Sequence, residues 1–160
     1  MQYNLSDIAK QFIDMPVRPM ESLKLKSGLK IQDFKKVDCI GFLLIVLENA
    51  NIKNIKYSDL IEKSLYRPSK NSDVNNSIRK FLSENTLFKA SENIEPRSNS
   101  ILVFLLEDGY LHFGFCDIEN EIQYIIHANS TVKKITREIF DDNLKKFLIN
   151  IITINTYNKK

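Results

Sequence analysis

An α+β fold follows from three features of the chain. Apolar residues recur with a helical period through most of the first half, with a period of two after residue 100, and the later runs are separated by turn signals. Helices first and an antiparallel meander second is the pattern of a domain whose helices pack on one side of a sheet. With 160 residues, 43% of them hydrophobic and 27% charged, the chain is expected to form one domain over 1–160 whose core needs neither metal nor disulfide.

Ser6 can cap a helix running to about Met15, because Ile8, Phe12 and Met15 share one helical face and Asp7 sits in the first turn. Pro16 and Pro19 end it, and Val17 to Lys36 reads as an irregular surface connection. Asp38 then opens the strongest helix, Cys39 to Ala50, whose apolar positions nearly encircle its axis and imply deep burial. Ser58 can cap a further helix over DLIEKSLY, and Ser72 or Asp73 another that runs towards Asn85. Together they predict a helical insertion at about 54–98, which ends in the loop SENIEPRSNS.

The period then changes. Ile101 to Leu106, Tyr110 to Asp117 and Glu121 to His127 are β-branched or aromatic runs divided by Glu107-Asp108-Gly109 and by Ile118-Glu119-Asn120, which predicts a meander. Thr131 to Ile135 is expected to add a short strand, Glu138 to Phe147 a helix, and Ile149 to Tyr157 a last strand.

Charge and composition exclude several functions. The net charge of +3 comes from 23 basic and 20 acidic residues interleaved along the chain, which argues against a phosphate-tracking surface and so against nucleic acid as partner. Lys24, Lys26 and Lys30, or Lys133 and Lys134, read as solvated faces. No apolar run approaches the 18 or so residues of a membrane span. The start, MQYNLSDIAKQF, lacks the basic stretch, apolar run and small-residue cleavage site of a secretory signal, so synthesis in the cytoplasm with unpaired cysteines is expected.

The chemistry-bearing residues are few: two cysteines and two histidines. Cys39 lies in the first turn after Asp38, where unpaired N–H groups and the positive end of the helix dipole favour a thiolate, and such placement can bring a thiol to a pKa of roughly 3.5 to 7.5. The same residue reads as a small apolar side chain in a helix that happens to start there. In YLHFGFCD, His112, Gly114 and Cys116 share one face of a strand, and Gly114 adds no bulk beside the imidazole. Hairpin pairing brings His127 near His112, where it can bond the second ring nitrogen and fix its tautomer. Cys116 lies four residues from His112, about 13 Å along a strand, too far for proton transfer or for a shared zinc ion, so it reads as packing. Phosphate-binding, dinucleotide-binding and calcium-loop motifs are missing from the sequence.

These residues resemble the NlpC-type cell-wall peptidases, a papain-like cysteine peptidase family. The resemblance is carried by VDCIGFLLIVLENANI (Val37 to Ile52), similar to that family's Asp-Cys-x-Gly and buried helix, and by Ile101 to Ile135, similar to its His-x-Gly strand and His-Ala strand end. The Ser6 to Met15 helix and Pro16 also fit the segment before the cysteine. The family's roles would make Cys39 the nucleophile, His112 the general base and acid, and His127 the residue that orients it. Asp38, Ile40 and Gly114 would fall at substrate-binding positions, with Ile40 where the family commonly has Ser. The resemblance implies a papain-like fold and a Cys-His-His peptidase of peptidoglycan stem peptides, cutting between D-glutamate and diaminopimelate without metal or cofactor. It also points to the phage-associated subgroup, whose members reach the wall as phage tail or gene-transfer particle components. A noncatalytic module of the same fold, or an intracellular thiol acyltransferase or deamidase, stands beside this reading.

Overall fold

Asn4, not Ser6, caps the first helix, α1 (Leu5–Lys10): its side-chain oxygen accepts from the N–H of Asp7 at 3.2 Å. Ser6 instead turns its amide and hydroxyl to Asn99, at 3.1 and 3.2 Å. In the computed structural model, which describes residues 4–52, 80, 88–91 and 95–154, α1 stops well short of Met15. The cause is a competing set of backbone partners. Asp14 enters the left-handed region, its N–H bonds to the carbonyl of Ile135, and Met15 accepts from Ile135 in turn. Residues 14–18 are thereby stapled between residues 133–135 on one side and Val37 on the other, which fixes the chain just before Cys39.

The expected cap of the second helix, α2 (Cys39–Asn49), is present: Asp38 Oδ1 accepts from Gly41 N–H at 2.7 Å, and Oδ2 accepts from Ser22 N–H at 2.9 Å and its hydroxyl at 2.6 Å. Ile40 through Leu47 are all buried. Phe42 meets Phe115 edge-on at 5.4 Å, so the helix is held against the sheet by large apolar contacts. Between the two helices the connection makes two 3-10 turns, Glu21–Ser27 and Ile31–Asp33. Among the described residues no helix is long and apolar enough to cross a membrane.

Among the described residues six antiparallel strands follow: β1 (Phe88–Ser91), β2 (Ile101–Leu105), β3 (Leu111–Glu119), β4 (Ile122–Asn129), β5 (Lys134–Ile139) and β6 (Leu148–Ile154). Their order is β1-β6-β2-β3-β4-β5, so the meander β2 to β5 is extended by β6, which returns to pair with β2. The architecture is therefore α+β and papain-like, with the cysteine-bearing helix packed on an antiparallel sheet. The β2–β3 turn places Gly109 at φ +83°, and the β3–β4 hairpin turns on Asn120 and Glu121, both at positive φ, as a two-residue turn between twisted strands requires.

Two expectations need correction. β5 runs on through Glu138 and Ile139, which pair with Ile125 and Tyr124, so the expected helix from Glu138 shrinks to α3 (Asp142–Lys145), capped by Asp141. β1 occupies a stretch read as insertion and loop, because it pairs with β6, far away in sequence. The helices expected from Ser58 and from Ser72 or Asp73, like most of the 54–98 insertion, lie outside the described residues.

The strands bury both faces. Phe113, Phe115, Ile126 and Ile135 join α1 and α2 in the larger core, while Phe104, Cys116, Ile125 and Phe140 form a smaller one on the opposite face, against Leu144 and Phe147. Cys116 is fully buried there as packing, and both cysteines are free thiols.

Candidate active site

The two rings and the thiol open on one pocket where β4 parts from β3. Their pairing begins at Gly114 and His127, so the start of β3, Leu111 to Phe113, has no β4 partner on that side. The first turn of α2 fills the opening: the Cys39 thiol points to the carbonyl oxygen of Leu111 at 3.8 Å, and the Phe113 N–H lies against the sulfur. Cys39, His112 and His127 consequently line one pocket of about 650 Å³.

His112 and His127 occupy diagonal positions on adjacent strands, with His127 directly opposite Gly114. Gly114 is required there: a Cβ would come within 2.8 Å of the Ile125 side chain and 3.3 Å of His127 Cβ. Without that bulk the rings meet edge to face at 5.0 Å between centroids, and His112 Nε2 lies 2.7 Å from His127 Nδ1. This is the contact expected to fix the His112 tautomer. It occupies Nε2, so Nδ1 is the atom of His112 left for a substrate or a thiol.

Ile40 and Asp38 line the pocket, whereas Gly114 does not; its contribution is the space it leaves. Both oxygens of Asp38 are engaged by Gly41 and Ser22, so its part in the structure is to hold the cysteine turn. One wall comes from Val17 of the stapled segment with Pro19 and Met20 just after it, the other from Asn129 at the end of β4 with Ser130 and Thr131. Among the groups that the sequence did not single out, Glu138 is bonded to the histidine pair: its carboxylate accepts from His127 Nε2. Its signal is hidden in the sequence, because the stretch from Glu138 reads as a helix and a lone Glu there carries no spacing pattern.

Protonation differs from the thiolate expectation. Burial in the pocket pushes the Cys39 thiol up to about 12, and the negative charge of Asp38 adds to this against the N–H groups of Phe113, Ile40 and Cys39. Burial, then the neighbouring His127, pushes His112 down to about 3. His127 is also lowered, by burial that outweighs the opposing pull of Glu138. Desolvation thus overrides the helix dipole, and the resting site holds a thiol beside neutral imidazoles.

No protein-family model matches the chain, and no curated protein matches it. Among solved structures it is similar to an N-acetylmuramoyl-L-alanine amidase from Bacteroides uniformis, at 12% identity and a TM-score of 0.61, over 96% of this chain and 98% of that one. It is also similar to a Legionella pneumophila protein of the family DUF1460, at 12% identity and a TM-score of 0.58, over 94% of this chain and 88% of that one. At these identities the likeness establishes a shared fold along nearly the whole chain.

Proposed function

We propose that the protein is a cysteine amidase that hydrolyses an amide bond in peptidoglycan stem peptides, with Cys39 as nucleophile, His112 as base and acid, and His127 as the residue that orients His112. The observation that carries this reading is a thiol at the start of a buried helix sharing one pocket with an imidazole whose Nε2 is already bonded to a second histidine. The fold shared with a protein named for cleaving N-acetylmuramoyl-L-alanine supports the substrate class.

The chemistry follows from the resting protonation. As the Cys39 sulfur bonds to the amide carbonyl carbon, its proton passes to Nδ1 of His112, because neither group is charged beforehand. Charge then develops on the carbonyl oxygen, where the N–H of Cys39 at the helix start is a donor. Collapse of the tetrahedral species breaks the C–N bond, and His112 gives its proton to the leaving amine. Water loses a proton to the freed His112 Nδ1 and attacks the thioester, the C–S bond breaks, and the thiol takes the proton back as the carboxylate product departs.

The test is digestion of purified sacculi followed by identification of each new amino terminus. A new diaminopimelate amine marks the bond to D-glutamate, and a new L-alanine amine marks the bond to the lactyl group. Wild-type release with none from Cys39→Ala is the expected result. A second reading, a noncatalytic module, is favoured by the high thiol pKa. It is separated by alkylation near neutral pH: Cys39 in a reactive pair labels with iodoacetamide in a His112-dependent way, whereas sluggish labelling that is indifferent to His112→Ala belongs to the module.

A further inference from the structure

His112, His127 and Glu138 form one diagonal row across β3, β4 and β5. Gly114 and Thr136 stand directly opposite His127, and the row's outer members lie two residues from each, on opposite sides of the sheet's pairing line. Hydrogen bonds join the row from His112 Nε2 to His127 Nδ1 and from His127 Nε2 to Glu138 Oε1.

Each bond constrains the next. A carboxylate oxygen accepts and has no proton to give, so His127 Nε2 must carry hydrogen. Burial keeps His127 neutral at neutral pH, so its Nδ1 is then bare and can only accept. His112 must therefore place its single proton on Nε2, and its Nδ1 keeps the lone pair. We propose that Glu138 is a positioning residue, whose carboxylate dictates the tautomers of both histidines and so keeps His112 Nδ1 ready to take a proton from Cys39.

The inference rests on the amidase reading only for what His112 does with that lone pair; the direction of the row does not depend on it. The other titratable side chains that line the pocket with the rings are Cys39, Asp38, Asp108 and Tyr110, whereas Glu138 does not line it. Glu138 is therefore the group that can set its polarity from behind. When His112 accepts the thiol proton, the same row orients the new imidazolium towards the carboxylate.

The experiment compares the protein with Glu138→Gln and Glu138→Ala by histidine-side-chain ¹⁵N NMR and by turnover of sacculi. With two histidines in the chain, every ring-nitrogen signal belongs to one or the other. In the unaltered protein both Nε2 atoms are expected to be protonated and both Nδ1 atoms bare. In Glu138→Gln an amide that can donate as well as accept no longer selects one form. His127 should then show mixed tautomers, with kcat down about 10- to 100-fold and KM within about twofold. Unchanged tautomers in both variants overturn the proposal whatever the activity, and a full kcat beside altered tautomers overturns its catalytic half. Altered tautomers in a protein that cleaves no sacculus support the positioning role and count against the amidase instead.

Discussion

The same three strands carry polar networks on their two faces, and the two networks end differently. On the face towards α1, Arg137 meets Asp117 at 2.8 Å and Glu119 at 2.8 Å and lies 3.7 Å over the Tyr124 ring, while Lys10 reaches Asp117 at 3.1 Å. Every charge there has an opposite, and the buried Asp117 has two. Burial alone would raise the Asp117 carboxyl, but the bonds from Arg137 and Lys10 hold it below the ordinary carboxylate range. On the other face the row from Glu138 through His127 to His112 is satisfied at one end and opens on the pocket at the other. A closed polar network has nothing left to react with and serves stability; an open one keeps an acceptor for a proton. Both networks cross the same three strands, so the difference lies in their residue types and in where the bonding stops.

The largest expected effect tests that division directly. Cys39→Ala or His112→Ala should lower turnover by about 10⁴-fold, and the double variant should be no worse than either, because groups acting as a unit do not add. Sacculus digestion measures this, and thermal melts of the same variants should stay close to wild type. Asp117→Ala should do the converse. Removing the shared acceptor leaves Arg137 with Glu119 and Lys10 with Asp7 as their remaining partners, and urea unfolding should show a loss of about 2–3 kcal/mol, while turnover per folded molecule holds within about twofold. A large activity loss in Asp117→Ala at full stability would erase the distinction between the faces.

How much of this was legible depends on whether a residue's partners were local. Asp38 before a run of apolar residues announced both the cap and the buried helix, since a cap acts within its own turn. Period-two patterning and Glu107-Asp108-Gly109 likewise announced the meander, and the pairing of β3 with β4 put His127 beside His112 as strand geometry requires. What failed depended on distant partners. Met15 looked helical until Ile135 claimed its carbonyl, β1 is a strand because β6 lies beside it, and Glu138 looked helical although it extends an edge strand. The thiol's protonation failed for a related reason: the sequence displays the helix dipole, but the pocket that desolvates the sulfur is built from both ends of the chain.

Gly114→Ala sits between the two networks in position and in expected size. The added methyl meets Ile125 at 2.8 Å, which requires the core of that face to shift and should cost about 1–2 kcal/mol. It also meets His127 Cβ at 3.3 Å, so the ring should tilt away from His112. A fall in kcat larger than the stability loss explains would show that the row, and not only the fold, depends on this gap. Equal effects in Gly114→Ala and Asp117→Ala would argue that the two faces are one cooperative unit.

The smallest effect separates the networks by pH. His112 is pushed down to about 3, below the roughly 6.5 of an unfolded chain, so the native state stays unprotonated where the unfolded state binds a proton. Its contribution to stability is complete above pH 6.5 and is lost as pH falls through the window from 6.5 to about 3. Between pH 7 and pH 5.5 the loss should be on the order of 1 kcal/mol from this residue, with His127 adding in the same direction. Asp117 has the same sign in a lower window: its depressed carboxyl stabilises above about pH 4 and loses that as pH falls further. Urea unfolding of wild type, His112→Phe and Asp117→Asn across pH 7 to 3 should therefore show the first slope reduced, to the share that His127 contributes, only in the histidine variant, and the second reduced only in the aspartate variant. If His112→Phe kept the full decline between pH 7 and 5.5, the imidazole would be titrating natively in water. The open end of the row would then be too wet to hold the neutral pair that proton transfer requires at its start.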